Sequence, residues 1–348
     1  MLKKWSILLL LVTIVTGCKN FKEFRQIKSF SEFPLTDSIR LTSLQIADSL
    51  SYPTRIYDYD SLFAFKDLSR ENQVILFSKK TGRQQTIVAK GRGPYELLGA
   101  WSLSAPDSSG NFYIHDVVTS EIMRVNLPEA LQRATGYAQK MQLREDLLPM
   151  ECIARTEDSL FVGTGRFEDC RVIKFNQKGE IKAKIGCSPQ ISSARTANPQ
   201  VNQAYIGVVK ASPNNRSYAI ACRYADQIEV FHSNDTTQAF FIKGPMLFEP
   251  KTKIVKGNVG LEAECMYGYV DLAVTDRWII GLFSGRTLSE KRANQGNALH
   301  IFTWDGTPVA RYFMDQDCIS IDMANDSTLY ALSIAPQPEV FSYKMTDK

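Results

Sequence analysis

Ala105-Pro106-Asp107-Ser108-Ser109-Gly110-Asn111-Phe112-Tyr113-Ile114, followed by Ile122-Met123-Arg124-Val125, is the stretch on which the fold is read. A run of turn-forming residues leads into an apolar strand, and a short polar gap leads into another. Asp, Asn, Pro and Gly tolerate or preset the dihedrals of tight turns, so the unit reads as a hairpin pair. It recurs on both sides. Polar turns fall at residues 58–61, 105–111, 155–159, 212–215, 274–277 and 324–327. The strands after them open at Leu62-Phe63, Phe112-Tyr113, Leu160-Phe161, Tyr218-Ala219, Trp278-Ile279 and Leu329-Tyr330. From Phe63 to Tyr330 the steps between second members are 50, 48, 58, 60 and 51 residues. A further strand follows each time: 74–77, 122–125, 172–175, 228–231, 299–302 and 340–343.

Six repeats of about fifty residues with four strands each predict an all-β, six-bladed β-propeller of antiparallel blades. An irregular pair of β-sandwiches is the competing architecture. The sixth repeat stops after its third strand. Residues 41–46, Leu41-Thr42-Ser43-Leu44-Gln45-Ile46, read as a spare strand that would fill the place beside Val340–Tyr343 and close the ring by joining N- and C-terminal strands. Closure would also remove an open sheet edge. The one helix expected is an insertion over 127–138.

The N-terminus reads as an export signal. Lys3 and Lys4 precede an apolar run from Trp5 to Thr16, and Gly17 precedes Cys18. The run is shorter than the ~20 residues a spanning helix needs, and the layout is that of a secretory signal. Val15-Thr16-Gly17-Cys18 resembles the bacterial lipobox, which implies cleavage before Cys18 and acylation of its thiol. The expected organisation is a signal peptide over 1–17, a lipid-anchored tether over 18–39 and the propeller over 40–348. Lys19 in place of Asp removes the inner-membrane retention signal, so the expected location is the outer membrane. The chain has 41 basic and 37 acidic residues, a net +4; losing Lys3 and Lys4 leaves +2. Without a basic block, nucleic acid is not an expected partner.

Lys90-Gly91-Arg92-Gly93-Pro94-Tyr95-Glu96 and Leu299-His300-Ile301-Phe302-Thr303-Trp304-Asp305-Gly306 are similar to segments of the TolB-like six-bladed propeller lipoproteins of the Bacteroidetes. The resemblance covers roughly residues 40–345. It implies a fold and an envelope location, and no activity.

Chemistry is sparse. The Gly91–Glu96 segment lacks the G-x-x-x-x-G-K-[ST] pattern of a phosphate loop and reads first as a blade-to-blade turn. His115, His232 and His300 lie in different repeats without metal-ligand spacing. Asp169, Glu262, Glu264 and Asp271 are acids that folding could bring to the axis. Cys152, Cys170, Cys187, Cys222, Cys265 and Cys318 contain no C-x-x-C pair; several sit in apolar strands and read as buried thiols, although an exported chain can form disulfides. Asp37-Ser38, Asp48-Ser49, Asp60-Ser61 and Asp158-Ser159 resemble O-glycosylation sites and equally well form turns.

Strand direction alternates in an antiparallel blade. The second-to-third loops and the blade crossovers therefore share one face. That face holds the long segments 90–99, 187–205, 247–266 and 284–298, and long loops on a rigid scaffold are where recognition sits. The expected contacts are Arg92, Tyr95, Glu96, Arg166, Arg195, Tyr205, Glu264, Tyr267, Arg286 and Arg292. The expected function is a membrane-anchored, non-enzymatic envelope module binding a protein, peptide or glycan through this face, with no cofactor. The alternative is a lactonase-like hydrolase or lyase at the axial mouth, for which calcium, an oxygen-seeking cation, would be the cofactor.

Overall fold

The structure, a computed structural model, describes residues 26–46, 50–156, 160–186, 203–255 and 258–345. Blade 1 runs through Pro53–Tyr59, Leu62–Asp67, Asn72–Ser78 and Gln84–Lys90. Blade 2 comprises Ala100–Leu103, Asn111–Asp116, Glu121–Asn126 and Ala138–Gln142, and blade 3 Met150–Arg155, Leu160–Gly165, Val172–Asn176 and Ile181–Ile185. Blade 4 is built from Gly207–Ala211, Ser217–Cys222, Gln227–His232 and Asp235–Lys243. Blade 5 takes Tyr269–Val274, Trp278–Phe283, Gly296–Thr303 and Pro308–Cys318. Blade 6 has Ser320–Ala324, Thr328–Ser333 and Glu339–Lys344. The first strands of neighbouring blades pack together around the axis. This is the six-bladed β-propeller that the repeat predicts.

Each blade is sandwiched between two others, so its middle strands are buried on both sides. Every residue of Leu62–Asp67 and of Ser217–Cys222 is buried. That is why these strands read as continuous apolar runs and not as alternating ones. The core is accordingly a ring of six apolar clusters, one between each pair of adjacent blades. At the turns, Asp60, Asn215 and Asn325 adopt positive φ values of 57°, 58° and 55°. Asp and Asn enter this left-handed region most readily after Gly, which explains their place in the repeat.

Thr42–Ser43 pairs antiparallel with the third strand of blade 6, Thr42 opposite Ser342 and Ser43 opposite Phe341. The Leu44 N–H donates to the Val340 carbonyl at 2.9 Å. The ring therefore closes by joining the chain ends, as expected.

Two expectations need correction. Residues 26–39, assigned from sequence to a tether, form part of the ring's outer wall. Gln26–Ser29 adds a parallel fifth strand to blade 4, and Leu35–Ile39 adds one to blade 5. Between them the Phe33 ring is buried, 4.8 Å from His300 and 5.5 Å from Phe302. The open edges offer unpaired backbone groups and the apolar side chains supply the burial, so this strap stays on the ring. The expected helix also shrinks to Leu127–Leu131, its N-terminus capped by Asn126 Oδ1 accepting from the Glu129 N–H at 3.1 Å. Arg133 and Gly136 turn left-handed (φ 54° and 86°) and release the chain into the outer strand of blade 2. Cys152, Cys170, Cys222, Cys265 and Cys318 are buried and form no disulfide among the described residues.

Candidate functional site

The loop-rich face opens at the axis into a cavity of about 420 Å³. Its walls come from the first strands, through Arg55 and Tyr57 of blade 1, Trp101 of blade 2, Cys152 of blade 3, Val208 to Lys210 of blade 4 and Asp271 of blade 5. Tyr52, Leu68, Arg223, Tyr267 and Pro338 contribute from the loops. Most of the lining is apolar or aromatic, and four of its charged groups are cations.

Two of those cations have structural work. Arg55 Nη1 donates to the Ile319 carbonyl at 2.6 Å and Nη2 to the Val270 carbonyl at 3.2 Å, while Nε lies 3.8 Å from Asp271 Oδ1. Asp271 Oδ2 accepts from Ser320 Oγ at 2.5 Å and from the Ile321 N–H at 3.0 Å. One buried ion pair thus ties blades 1, 5 and 6 together. Lys210 lies 3.3 Å from Asp322 and 4.7 Å from the centre of the Tyr57 ring. Asp322 also accepts the Asp58 N–H at 2.7 Å, and burial pushes its carboxyl upward.

The other two cations are different. Lys66 projects from the second strand of blade 1 and is 4% exposed. Its Nζ lies 4.3 Å from the centre of the Trp101 ring and donates to the Trp101 carbonyl at 3.5 Å. No described carboxylate is paired with it. Burial lowers its pKa to about 7, with Arg55 and Arg223 repelling it further. Arg223 sits in the second-to-third loop of blade 4; its Nε is sealed from water and has no hydrogen-bond partner. Buried polar groups are normally satisfied, and a buried charge without a counter-charge is expensive.

The opposite, short-turn face has a wider depression of about 910 Å³, lined by Asp58, Asp60, Asp107, Asp276, Asp322 and Asp326. Lys79 pairs with Asp58, Arg155 Nη2 lies 3.7 Å from Asp107, and Lys210 bridges to Asp322. Tyr57 and Lys210 line both spaces and form the partition between them. No group of three His, Cys, Asp or Glu among the described residues is placed to hold a metal ion.

Of the nine expected contacts among the described residues, Tyr267 alone lines the axial cavity. Tyr95 stacks on Tyr137 at 4.4 Å and its hydroxyl accepts the Gly136 N–H at 2.7 Å. Glu96 accepts the Gly93 N–H at 2.7 Å, and a Cβ on Gly91 would lie 2.0 Å from its Oε2. The Gly91–Glu96 motif is thus a corner tied to itself, with Arg92 exposed at its tip. Arg166 pairs with Glu151 at 3.2 Å. Arg286 and Arg292 share Asp317, at 2.5 and 3.7 Å. Glu264 is exposed. Tyr205 is wholly buried and so is not a surface contact; its carbonyl takes an Arg171 N–H at 2.7 Å, beside the buried Arg171–Glu229 pair. Arg195 and Cys187 lie outside the described residues.

The four acids that folding could have brought to the axis do not meet there. Asp271 reaches the axis, but Asp169 pairs with Lys184 at 2.7 Å on the edge of blade 3, and Glu262 and Glu264 stay in the crossover after the hairpin Thr252–Val255 and Asn258–Leu261. The histidines also lie away from both openings. His115 Nδ1 donates to the Glu151 carbonyl at 3.2 Å, and burial lowers its pKa to about 4. His300 stacks on Phe283 at 4.4 Å, with its pKa lowered to about 3 by burial and then by Arg311. His232 Nδ1 lies 2.9 Å from Ser217 Oγ.

Residues 29–326 match the TolB-like 6-blade propeller-like family. The chain belongs to that family. No curated protein matches the sequence. Among solved structures, this TolB-like propeller is similar to a candidate exported protein of Bacteroides fragilis. The identity is 12% and the TM-score 0.59, over 93% of this chain and 100% of that one. Raptor of Chaetomium thermophilum gives 8% identity and a TM-score of 0.50, over 89% of this chain and 29% of that one. Virginiamycin B lyase of Staphylococcus aureus gives 12% and 0.48, over 88% and 89%. At these identities the likeness is one of fold, and fold does not carry function.

Sequence reasoning missed Lys66, Trp101 and Arg223. A signal existed for Lys66. In Leu62-Phe63-Ala64-Phe65-Lys66-Asp67 a cation interrupts a strand whose other members are apolar up to the closing Asp67. Asp67 is explained, because its carboxylate accepts the Tyr52 and Ser69 N–H groups. Lys66 has no comparable role in the backbone.

Proposed function

We propose that this TolB-like propeller is a lipid-anchored envelope module, acylated at Cys18, that captures its ligand in the axial cavity of the loop-rich face. The observation that carries this reading is the cavity itself. It is a concave, largely apolar pocket with a few inward polar groups at the centre of a rigid ring, the general form of a binding site. The lipobox pattern and the short apolar run before it support the anchor, and two or more acyl chains hold a protein stably on a membrane.

Both halves are testable in whole cells. Cys18→Ser is expected to move the protein from the membrane fraction to the soluble one; unchanged fractionation and N-terminal mass would end the lipoprotein assignment. For the cavity, Val208→Trp fills the loop-side opening and Ala211→Trp the turn-side one, from the same inner strand. Native mass spectrometry of protein purified from its own envelope should show a bound species. That species is lost in Val208→Trp and retained in Ala211→Trp. The reverse pattern would transfer the site to the opposite face.

A further inference from the structure

We propose that the axial cavity is a carboxylate site, in which Lys66 and Arg223 take the anionic head of a ligand whose flat apolar body lies against Trp101 and Tyr267. This rests on the axial cavity being where the ligand binds, and it names the class of ligand.

The cavity wall carries more positive charge than its ion pairs neutralise. Of the cations on the cavity wall, Arg55 is neutralised by Asp271 and Lys210 by Asp322. Lys66 and Arg223 remain without an ion-pair partner among the described residues, with Asp271 attracting the first and Glu151 the second only from further off. Lys66 Nζ has a carbonyl and an aromatic face as its neighbours. Arg223 has Tyr224 as a side-chain hydrogen-bond neighbour, and its Nε is buried without an acceptor. They come from blades 1 and 4, on opposite sides of the ring, and meet at one opening. Each repels the charged form of the other, since Arg223 is among the groups that depress Lys66. A pair of like charges held together under apolar walls lacks an anion between them. An incoming carboxylate would set one anion beside both the Lys66 ammonium and the Arg223 guanidinium that line the cavity, in charge-assisted hydrogen bonds that are strongest when water is excluded.

The size of that anion follows from what surrounds it. An apolar pocket with few donor groups favours a weakly hydrated, singly charged carboxylate over a strongly hydrated dianion. A phosphate dianion would lose more hydration than two donor groups return. The remaining wall includes Tyr57, Trp101, Val209, Val270 and Tyr267, with Ser51, Thr54, Ser102 and Asn294 among its few polar members, and its apolar part suits a planar or branched apolar body. About 420 Å³ lies within the ~300–1,000 Å³ range of small-molecule pockets. It would admit a free aromatic acid or the last residue of a peptide with its terminal carboxylate. The two share the same head-group chemistry.

The test is isothermal titration calorimetry on the purified chain with 2-naphthoate, its neutral counterpart 2-naphthalenemethanol, and an acetylated tripeptide ending in Phe as free acid or amide. Naphthoate is expected to bind at least about tenfold more tightly than the alcohol, and the free-acid peptide more tightly than its amide. Lys66→Met and Arg223→Gln should each remove that preference while leaving the alcohol's affinity within about twofold, which also shows that the variants are folded. Stronger binding of the peptide acid assigns the source as a chain end, and stronger binding of naphthoate a free acid; either result upholds the site. Equal affinity for acid and alcohol, or an undiminished preference in both variants, overturns the carboxylate assignment and leaves the cavity as an apolar site. Binding of none of the four probes, or binding unaffected by Val208→Trp, overturns the cavity reading as well.

Discussion

Lys66→Met is the perturbation that tests most directly whether the ring sacrifices stability for its cavity. Lys66 is held at a pKa of about 7 against 10.5 for a free lysine, through burial first and the neighbouring arginines second. At about 1.4 kcal/mol per pKa unit, keeping the ammonium charged inside the fold costs roughly 5 kcal/mol. The contact with Trp101 recovers about 0.5–2 kcal/mol of this. A methionine of similar length fills the same space without the charge, so the variant should be more stable by about 3 kcal/mol where Lys66 is protonated. The sign with pH is fixed by the direction of the shift. Because the folded pKa lies below the unfolded one, the unfolded chain holds the extra proton between about pH 7 and 10.5. The contribution of Lys66 to stability therefore rises with pH through that window, and its penalty is fully present below pH 7. Thermal unfolding of both proteins at pH 6 and pH 10 should show Lys66→Met several degrees higher at pH 6 and nearly level at pH 10. Taking the difference between the two proteins cancels every other titrating group. A variant less stable than the parent at pH 6, or a gap independent of pH, would refute the claim that Lys66 is a buried, uncompensated charge.

Four further outcomes follow from the same geometry. Affinity for 2-naphthoate should fall by about tenfold between pH 6 and pH 8 as free Lys66 loses its proton; Arg55, Arg223, Asp271 and Cys152 act on it there, and burial holds the Cys152 thiol neutral across that range. A flat profile measured by calorimetry would remove Lys66 from the site. Phe33→Ala should lower stability by about 3 kcal/mol in chemical denaturation, as for other buried Phe truncations, because Phe33 anchors the strap in the apolar cluster between blades 4 and 5; no change would mean that residues 26–39 are a loose tether. Gly91→Ala places a methyl on the Glu96 carboxylate and should lower the melting temperature, and Glu96→Ala in the same chain should restore much of it. Cys18→Ser should leave the melting temperature of the folded ring unchanged while releasing the protein from membranes, as followed by fractionation.

The fold was legible because a propeller writes itself repeatedly. Each blade needs a tight first turn, which puts Asp or Asn at positions such as 60, 215 and 325, and a doubly buried second strand, which makes residues 62–65 and 218–222 apolar throughout. Six copies average out the irregularity of any one. The closing strand was legible for the same reason, since a repeat short of one strand points to its replacement. The strap was not. Residues 26–39 mix charged and apolar residues without a clean period, and their partners are edge strands far along the chain, so only the docked structure shows Phe33 and Ile39 to be core residues.

The site was much less legible, and the cause is geometric. Loop length marks the face on which the axial cavity opens, but that cavity is built where the inner ends of the blades converge, and those ends come from every repeat. Arg92, Tyr95 and Glu96 were conspicuous because they stand together in sequence, and the structure ties two of them into a self-supporting corner. Lys66 and Arg223 were inconspicuous because they lie three repeats apart, each a single charged residue beside an apolar strand. Such a residue ordinarily marks a strand end turning into solvent, where it adds nothing to the energy of the fold. Here the ring carries the strand end inward, against Trp101, and a position neutral at the surface becomes a destabilising one. On the carboxylate-site proposal that inversion is the mark of a functional charge: a cation that weakens the protein through its own burial, with no ion-pair partner among the described residues, calls for an anion from outside.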